Sequence, residues 1–134
     1  MKSIKTPVQI RLNDIDMFGH VNNSIYNQYL DCGKIEYMLR VLGYDALFGE
    51  KSMVIVHIEN DFLNPCLLTD ELFVITGVES VGEKSVTMRQ SIIDKKGEVK
   101  VESMSILSTY NTEEKSSFPM PDEWLRALKS FNNS

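Results

Sequence analysis

The sequence predicts an α+β domain: a mostly antiparallel sheet of about five strands, one long helix on its concave side, and a short helix at the C-terminus. Three observations carry this expectation. An alternating segment near the N-terminus runs straight into a long stretch of helical periodicity. Four β-rich segments then follow, parted by short turn signals. Strands joined by hairpins pair antiparallel, and a single long helix covers one face of such a sheet.

At 134 residues the chain is one domain, spanning 1–134. Hydrophobic residues at 43% and charged residues at 25% suffice for a core and exclude disorder and low complexity. Lys+Arg 14 against Asp+Glu 19 gives a net charge of −5. Such a chain has no basic field to hold a polyanion, so nucleic acid is not an expected partner. A small anionic ligand remains compatible, because it needs only a local cluster of Lys or Arg. Cys32 and Cys66 are too few for a disulfide framework and read as small buried hydrophobes. Met1-Lys2-Ser3-Ile4-Lys5 lacks the apolar core of a secretion signal, and no apolar run nears the ~18 residues of a membrane span. The expectation is a cytoplasmic protein with reduced thiols and no membrane partner.

The elements follow in order. Ile4, Thr6, Val8, Ile10 and Leu12 alternate with Lys5, Pro7, Gln9 and Arg11, the period of a half-buried strand. Pro7 within it points to a sheet edge or to a position whose N–H is not needed. Asn13 to Ser24 is polar and contains Gly19, as a loop leading into a helix does, with Asn22, Asn23 or Ser24 as its cap. From about Asn23 to Leu42, Tyr26, Leu30, Gly33, Tyr37 and Val41 repeat every three or four residues. Ile25, Tyr29, Cys32, Met38, Leu39 and Leu42 widen that stripe, so a wrapped core helix is expected. Gly33 inside it costs about 1 kcal/mol against Ala and implies a close backbone approach, such as that of a sheet. Gly43 is the stop.

Tyr44 to Lys51 is a short connection. Met53 to Ile58 is a β-branched run, and Asn64-Pro65 is a turn. Leu72 to Val81, Val86 to Ile93 and Val99 to Tyr110 are strands, with hairpins at Gly82-Glu83 and Asp94-Lys95-Lys96-Gly97. In the last strand the apolar phase shifts between Val101 and Met104. That shift requires either a bulge near Glu102-Ser103 or partial cover on both faces. Trp124, Leu125, Leu128 and Phe131 behind Pro121-Asp122-Glu123 form a short amphipathic helix, read as a packing lid.

Chemistry concentrates in Asp14, Asp16, Gly19, His20, Asn22, Asn23 and Tyr26. A calcium loop opening at Asp14 fails, because Phe18 and Ile25 stand where oxygen ligands are needed. A transition-metal site from Asp14, Asp16, His20 and His57 lacks any recognised ligand spacing. The third reading is carboxylate catalysis beside a helix N-terminus. Free N–H groups and the positive dipole end there can hold a developing oxyanion. A carboxylate just upstream can attack the acyl carbon or deprotonate water. The plainer alternative is that Asp14 and Asp16 only cap turns.

The pattern Arg11-x-x-Asp14-x-Asp16-x-x-Gly19-His20-Val21-Asn22-Asn23-x-x-Tyr26-x-x-Tyr29-Leu30 resembles the signature of 4-hydroxybenzoyl-CoA thioesterase-like proteins, acyl-CoA thioester hydrolases of the hot dog fold superfamily. Asp61-Phe62-Leu63-x-Pro65, Asp70-Glu71-Leu72 and Gly82-x-Lys84-Ser85-Val86 extend the likeness in the same order. Where many relatives carry Glu and then Arg three residues on, this chain has Asp31 and Lys34, which loses a bidentate contact.

The resemblance implies a sheet wrapped round a long helix, and an acyl-CoA thioesterase that needs no metal or organic cofactor. It makes Asp16 the catalytic carboxylate, as nucleophile or as general base, and the N–H of Asn23 the group that polarises the thioester carbonyl. Gly19, His20, Asn22, Tyr26, Lys84 and Ser85 are the substrate-binding candidates. Of these, His20 reads more as a brace for the loop, Asn22 as the cap and Tyr26 as core. Arg89, Lys95 and Lys96 join Lys84 as candidates for the CoA phosphates. Glu59 and Asp61, flanking a strand end, stand behind Asp16 as carboxylates for another layout. The implied partners are acyl-CoA, or the thioester of an acyl carrier protein, and a second copy of the chain, as a homodimer or a dimer of dimers with sites at the subunit boundary. The rival functions are a hydratase or dehydratase of acyl thioesters, which needs a His–carboxylate pair that His20 and His57 do not provide, and a non-catalytic acyl- or protein-binding module.

Overall fold

The computed structural model describes residues 1–134. Five strands form one sheet in the order β1-β3-β4-β5-β2, with every neighbouring pair antiparallel. They are β1 (Ser3–Val8), β2 (Lys51–Phe62), β3 (Leu72–Val81), β4 (Ser85–Asp94) and β5 (Val99–Asn111). Helix α1 (Tyr26–Val41) packs on the sheet, a short α2 (Asp45–Phe48) links it to β2, and α3 (Asp122–Asn132) closes one end. The expected α+β architecture is the one observed. The helical turn of α2 within Tyr44–Lys51 is an addition to it, because four residues are too short to show a period.

The alternation in β1 holds through Ile10, with Ile4, Thr6 and Ile10 buried. It ends before Leu12, which is exposed at the start of a 3-10 turn, Leu12–Asp14. Pro7 does sit on an edge strand, opposite Phe73. In β5 the second alternative for the phase shift holds. Odd residues from Val101 to Asn111 are buried on the core face, while Met104, Ile106 and Tyr110 on the other face are half-covered. No register break falls at Glu102-Ser103; the break against β4 lies at Lys100, between the pairs Ile92↔Val101 and Ile93↔Val99.

Helix α1 turns Tyr26, Leu30, Gly33 and Tyr37 onto the sheet. Gly33 is needed for the approach. A Cβ there would stand 2.6 Å from both Thr76 Oγ1 and Val74 Cγ1. The sheet wraps one side of the helix as expected, while Cys32 and Leu39, counted in the broad apolar stripe, lie with Ile35 on its outer flank and are exposed. Cys66 is fully buried as expected, and Cys32 is not. Cys32 is one residue from Gly33, and therefore about 100° round the helix from the sheet.

The core divides in two. One cluster gathers Tyr37, Val86, Met88, Leu107, Trp124 and Leu128 beneath α3, as the lid reading expects. The other gathers Tyr26, Tyr29, Leu30, Cys66, Ile92 and Val101 at the N-terminal end of α1. Between them, Gln90 Nε2 donates to Leu30 O and to Thr76 Oγ1, which ties the helix backbone to the sheet at the Gly33 crossing. Lys34, also buried, has only Asp31 nearby at 3.9 Å, and burial pushes its ammonium pKa down. No helix is long and apolar enough to cross a membrane.

Candidate active site

The segment between β1 and α1 is a closed loop. Ile15 and Val21 form an isolated bridge. Within it Gly19 N–H donates to Asp16 O at 3.0 Å and Asp16 N–H donates to His20 O at 2.9 Å. Gly19 takes φ +81 with open space around it, so the backbone conformation, and not crowding, calls for glycine there. This tight turn holds Asp16 at its start. Phe18 N–H donates to Asp16 Oδ1 at 2.9 Å, and Oδ2 has no partner in the chain.

Asp14, two residues earlier, does different work. Its Oδ2 accepts from Tyr29 Oη at 2.5 Å and from Arg11 N–H at 2.9 Å. Its carbonyl accepts Asn22 N–H at 2.8 Å. Asp14 is buried and spent on holding the loop to α1; Asp16 is half-buried and turned to a cleft.

The helix begins later than expected, at Tyr26 instead of about Asn23. Asn22 Oδ1 accepts Ser24 N–H at 2.9 Å and Ser24 Oγ at 2.8 Å, and Asn22 O accepts Ile25 N–H at 2.9 Å. Asn22 thus caps a turn in front of the helix, where its side chain competes with helical bonding. Asn23 lies in that turn. Its backbone N–H makes no hydrogen bond within the chain.

These groups meet in a cleft of about 480 Å³, lined by Asp16, Phe18, His20, Asn22, Asn23 and Tyr26 on one side and by Phe62, Leu63, Asn64 and Pro65 on the other. Tyr26 is 2% exposed and packs on Phe62, with ring centroids 5.6 Å apart. It is both core and cleft wall. Burial, followed by its Cys66 neighbour, pushes its hydroxyl pKa up, so the phenol stays neutral. The His20 imidazole lines the cleft without a hydrogen bond, and its carbonyl does the bracing.

Sequence reasoning does not assign the second wall to the site. Its only signal is the Asp61-Phe62-Leu63-x-Pro65 pattern. Val21 N–H donates to Cys66 O at 2.9 Å, which ties this wall to the Asp16 loop. From below, Lys100 Nζ donates to Pro65 O at 3.2 Å and to Glu98 Oε1 at 2.6 Å, and lies within 4 Å of Asp70 and Asp94. Burial alone would lower the Lys100 pKa; the surrounding carboxylates outweigh it and hold the ammonium charged.

Other candidates are not gathered here. Lys84 and Ser85 sit on the hairpin between β3 and β4, at the α3 end of the sheet; Thr109 N–H donates to Lys84 O. Arg89 pairs with Glu79 at 3.0 Å and Lys95 with Glu71 at 3.4 Å. Glu59 holds His57 at 3.0 Å on the exposed edge, and neither Glu59 nor Asp61 lines the cleft. His57 lies away from Asp16, and nowhere does the chain bring three potential metal-ligating side chains together.

The arrangement can hold a carbonyl between a carboxylate oxygen and an unpaired amide, with aromatic surface on both sides. Known structures share the overall fold. A predicted thioesterase from Bacillus stearothermophilus superposes with TM-score 0.88 at 25% identity, over 97% of this chain and 96% of that one. A thioesterase from Thermus thermophilus, solved with coenzyme A and zinc, superposes with TM-score 0.86 at 26% identity, over 97% and 94%. A 1,4-dihydroxy-2-naphthoyl-CoA thioesterase from Synechocystis shares the fold, with TM-score 0.84 at 16% identity over 98% of each chain. No curated protein matches the sequence. The family model of the thioesterase-like superfamily matches residues 10–128, nearly the whole domain from the end of the first strand into α3. The chain belongs to the thioesterase-like superfamily and is a thioester hydrolase of the hot dog fold.

Proposed function

We propose that the protein is an acyl-CoA thioesterase, cleaving acyl-S-CoA with water to a carboxylic acid and CoA-SH. One observation carries this reading: the free Oδ2 of Asp16 and the unpaired N–H of Asn23 belong to opposite ends of one loop and wall the same cleft. The thioester carbonyl oxygen accepts from Asn23 N–H. Asp16 then takes the proton of a water that adds to the carbonyl carbon, or adds to that carbon itself and leaves an anhydride for water to open. In both routes negative charge grows on the carbonyl oxygen and is met by the amide. Collapse breaks the C–S bond, and the CoA thiolate leaves to be protonated. No step calls for a cofactor.

The active unit in this reading is a homodimer paired through the outer edge of β2, with a dimer of dimers as the larger form. Its support is that β2 is the last strand of the sheet and carries Val54, Ile55 and Val56 exposed. A long apolar edge is covered in natural proteins. Two unlinked thiols support a cytoplasmic setting.

The test is release of free thiol from a panel of acyl-CoAs and acyl carrier protein thioesters, with the acid product measured alongside. Thiol and acid appearing in equal amounts are expected. Loss of enoyl absorbance without free thiol would mean a hydratase, and no turnover with any acyl group a binding module.

A further inference from the structure

The Asp16 cleft contains no Lys or Arg, although the thiol carrier proposed for it bears phosphates. From the geometry of β2 we infer that Lys51 of the partner subunit supplies that cation, at the mouth of the cleft. This rests on the dimeric thioesterase reading above and names the residue that completes its site.

Strand β2 is self-complementary. Its first residue is Lys51, its middle is Val54-Ile55-Val56, and its last residues include Glu59 and Asp61. Two copies paired antiparallel about a two-fold axis cover Val54-Ile55-Val56 with the same apolar segment and set the end that begins at Lys51 beside the end that finishes at Phe62.

The face is fixed by the register with β5. Lys51, Met53 and Ile55 lie opposite Asn111, Thr109 and Leu107, which are buried on the core face. The pairing slips at Val56, after which Ile58, Asn60 and Phe62 lie opposite Ser105, Ser103 and Val101, again on the core face. Both ends of β2 therefore present side chains to the same side of the sheet. A two-fold axis at the slip places Ile55 across from the partner's Ile58, and Lys51 across from the partner's Phe62.

Phe62 is a wall of the cleft. Paired strands lie about 4.8 Å apart, and the ammonium rides on a flexible four-carbon stem. Within its own chain Lys51 has no carboxylate partner; its Nζ stands 5.6 Å from the Phe118 ring. No ion pair holds it there, although Asp45, Glu50 and Glu123 line the same pocket, so its flexible stem can carry the ammonium to an anion. Lys84 lies further from the axis: it precedes β4 and is held by Thr109 N–H of β5, so β5 stands between it and β2.

The experiment is cross-subunit complementation. Lys51→Met should raise KM for an acyl-CoA roughly tenfold with kcat held, the loss of one charged contact. The rise should be confined to CoA thioesters and absent with the N-acetylcysteamine thioester of the same acyl group, which has no phosphate. Co-expressing Lys51→Met with Asp16→Asn should restore the low KM, because the Asp16→Asn chain lends its Lys51 to the neighbouring intact Asp16. With random pairing about a quarter of sites recover. A KM that stays high in the mixture would overturn the proposal, since Lys51 would then act within its own chain or not at all. So would a KM rise from Lys84→Met but not from Lys51→Met, and so would a monomer by sedimentation with full activity. If no thioester were turned over, titration calorimetry with CoA alone still decides: tenfold weaker binding to Lys51→Met supports the site, and equal binding refutes it.

Discussion

Tyr29 Oη donates to Asp14 Oδ2 over 2.5 Å, so the loop that carries Asp16 is fastened to the first turn of the buried helix. One carboxylate of the pair holds the loop in place, and the other, Asp16, keeps one oxygen without a partner in the chain, the oxygen that the proposed hydrolysis uses.

Tyr29→Phe should therefore act on stability. It leaves a buried carboxylate with one donor fewer, a cost of about 1–3 kcal/mol. Chemical denaturation is expected to show that loss for Tyr29→Phe and for Asp14→Asn, with kcat falling less than tenfold in the fraction that remains folded.

Gly33→Ala sets two effects against each other. Alanine gains about 1 kcal/mol of helix propensity. Its methyl group would meet Val74 and Thr76 at 2.6 Å and Gln90 Nε2 at 3.0 Å. Overpacking of this kind costs about 1–3 kcal/mol, and here it also disturbs the Gln90 bond to Leu30 O, so net destabilisation is expected in urea titrations.

That close approach is legible in the sequence, and so is most of the fold. A glycine in the middle of an apolar helical stripe weakens the helix unless a neighbouring backbone needs the space. Strand order is not legible, because pairing β1 with β3 and β5 with β2 depends on contacts far apart in the chain. The exposure of Cys32, Ile35 and Leu39 is hidden as well, because a broad apolar stripe does not say which of its sides is covered. At the site, the Gly19-His20-Val21-Asn22-Asn23 segment points to the Asp16 loop. Lys84 and Ser85 are linked to it only by resemblance, and in one chain they lie at the far end of the sheet. The Phe62–Pro65 wall comes from a distant loop, and no local period marks it.

The basic limb of the stability profile should report the buried phenols. Burial pushes Tyr37 up to about 12, and burial together with Asp14 pushes Tyr29 up as well. A group whose pKa is raised on folding contributes stability that is whole below its unfolded value, near 10, and is lost as pH climbs through the folded value. Stability is expected to decline from about pH 10 to 12. Ultraviolet titration should show Tyr26, Tyr29 and Tyr37 ionising only as the protein unfolds, and Tyr37→Phe should flatten part of the decline.

Lys100→Met removes the cation shared by Glu98, Asp70 and Asp94 and frees the Pro65 carbonyl. These carboxylates keep partial access to water, so a loss of about 1–3 kcal/mol is expected, below that of a fully buried pair. Asp94 should also lose part of what holds its pKa down. Burial opposes ionisation there, and the Glu98 and Lys96 amides, followed by Lys100, outweigh it. Stability of this kind is present above the unfolded carboxylate value and lost as pH falls through the folded one, so the acid limb of the variant should be shallower.

Steady-state hydrolysis of an acyl-CoA by Asp16→Asn, measured beside Asp14→Asn, decides whether the loop carboxylate performs the cleavage. Removing the free carboxylate while keeping its shape should lower kcat about 10³-fold with the melting temperature unchanged, while Asp14→Asn loses stability and keeps most of its turnover. Equal turnover in the two variants, or an Asp16→Asn enzyme within tenfold of the parent, would contradict the account.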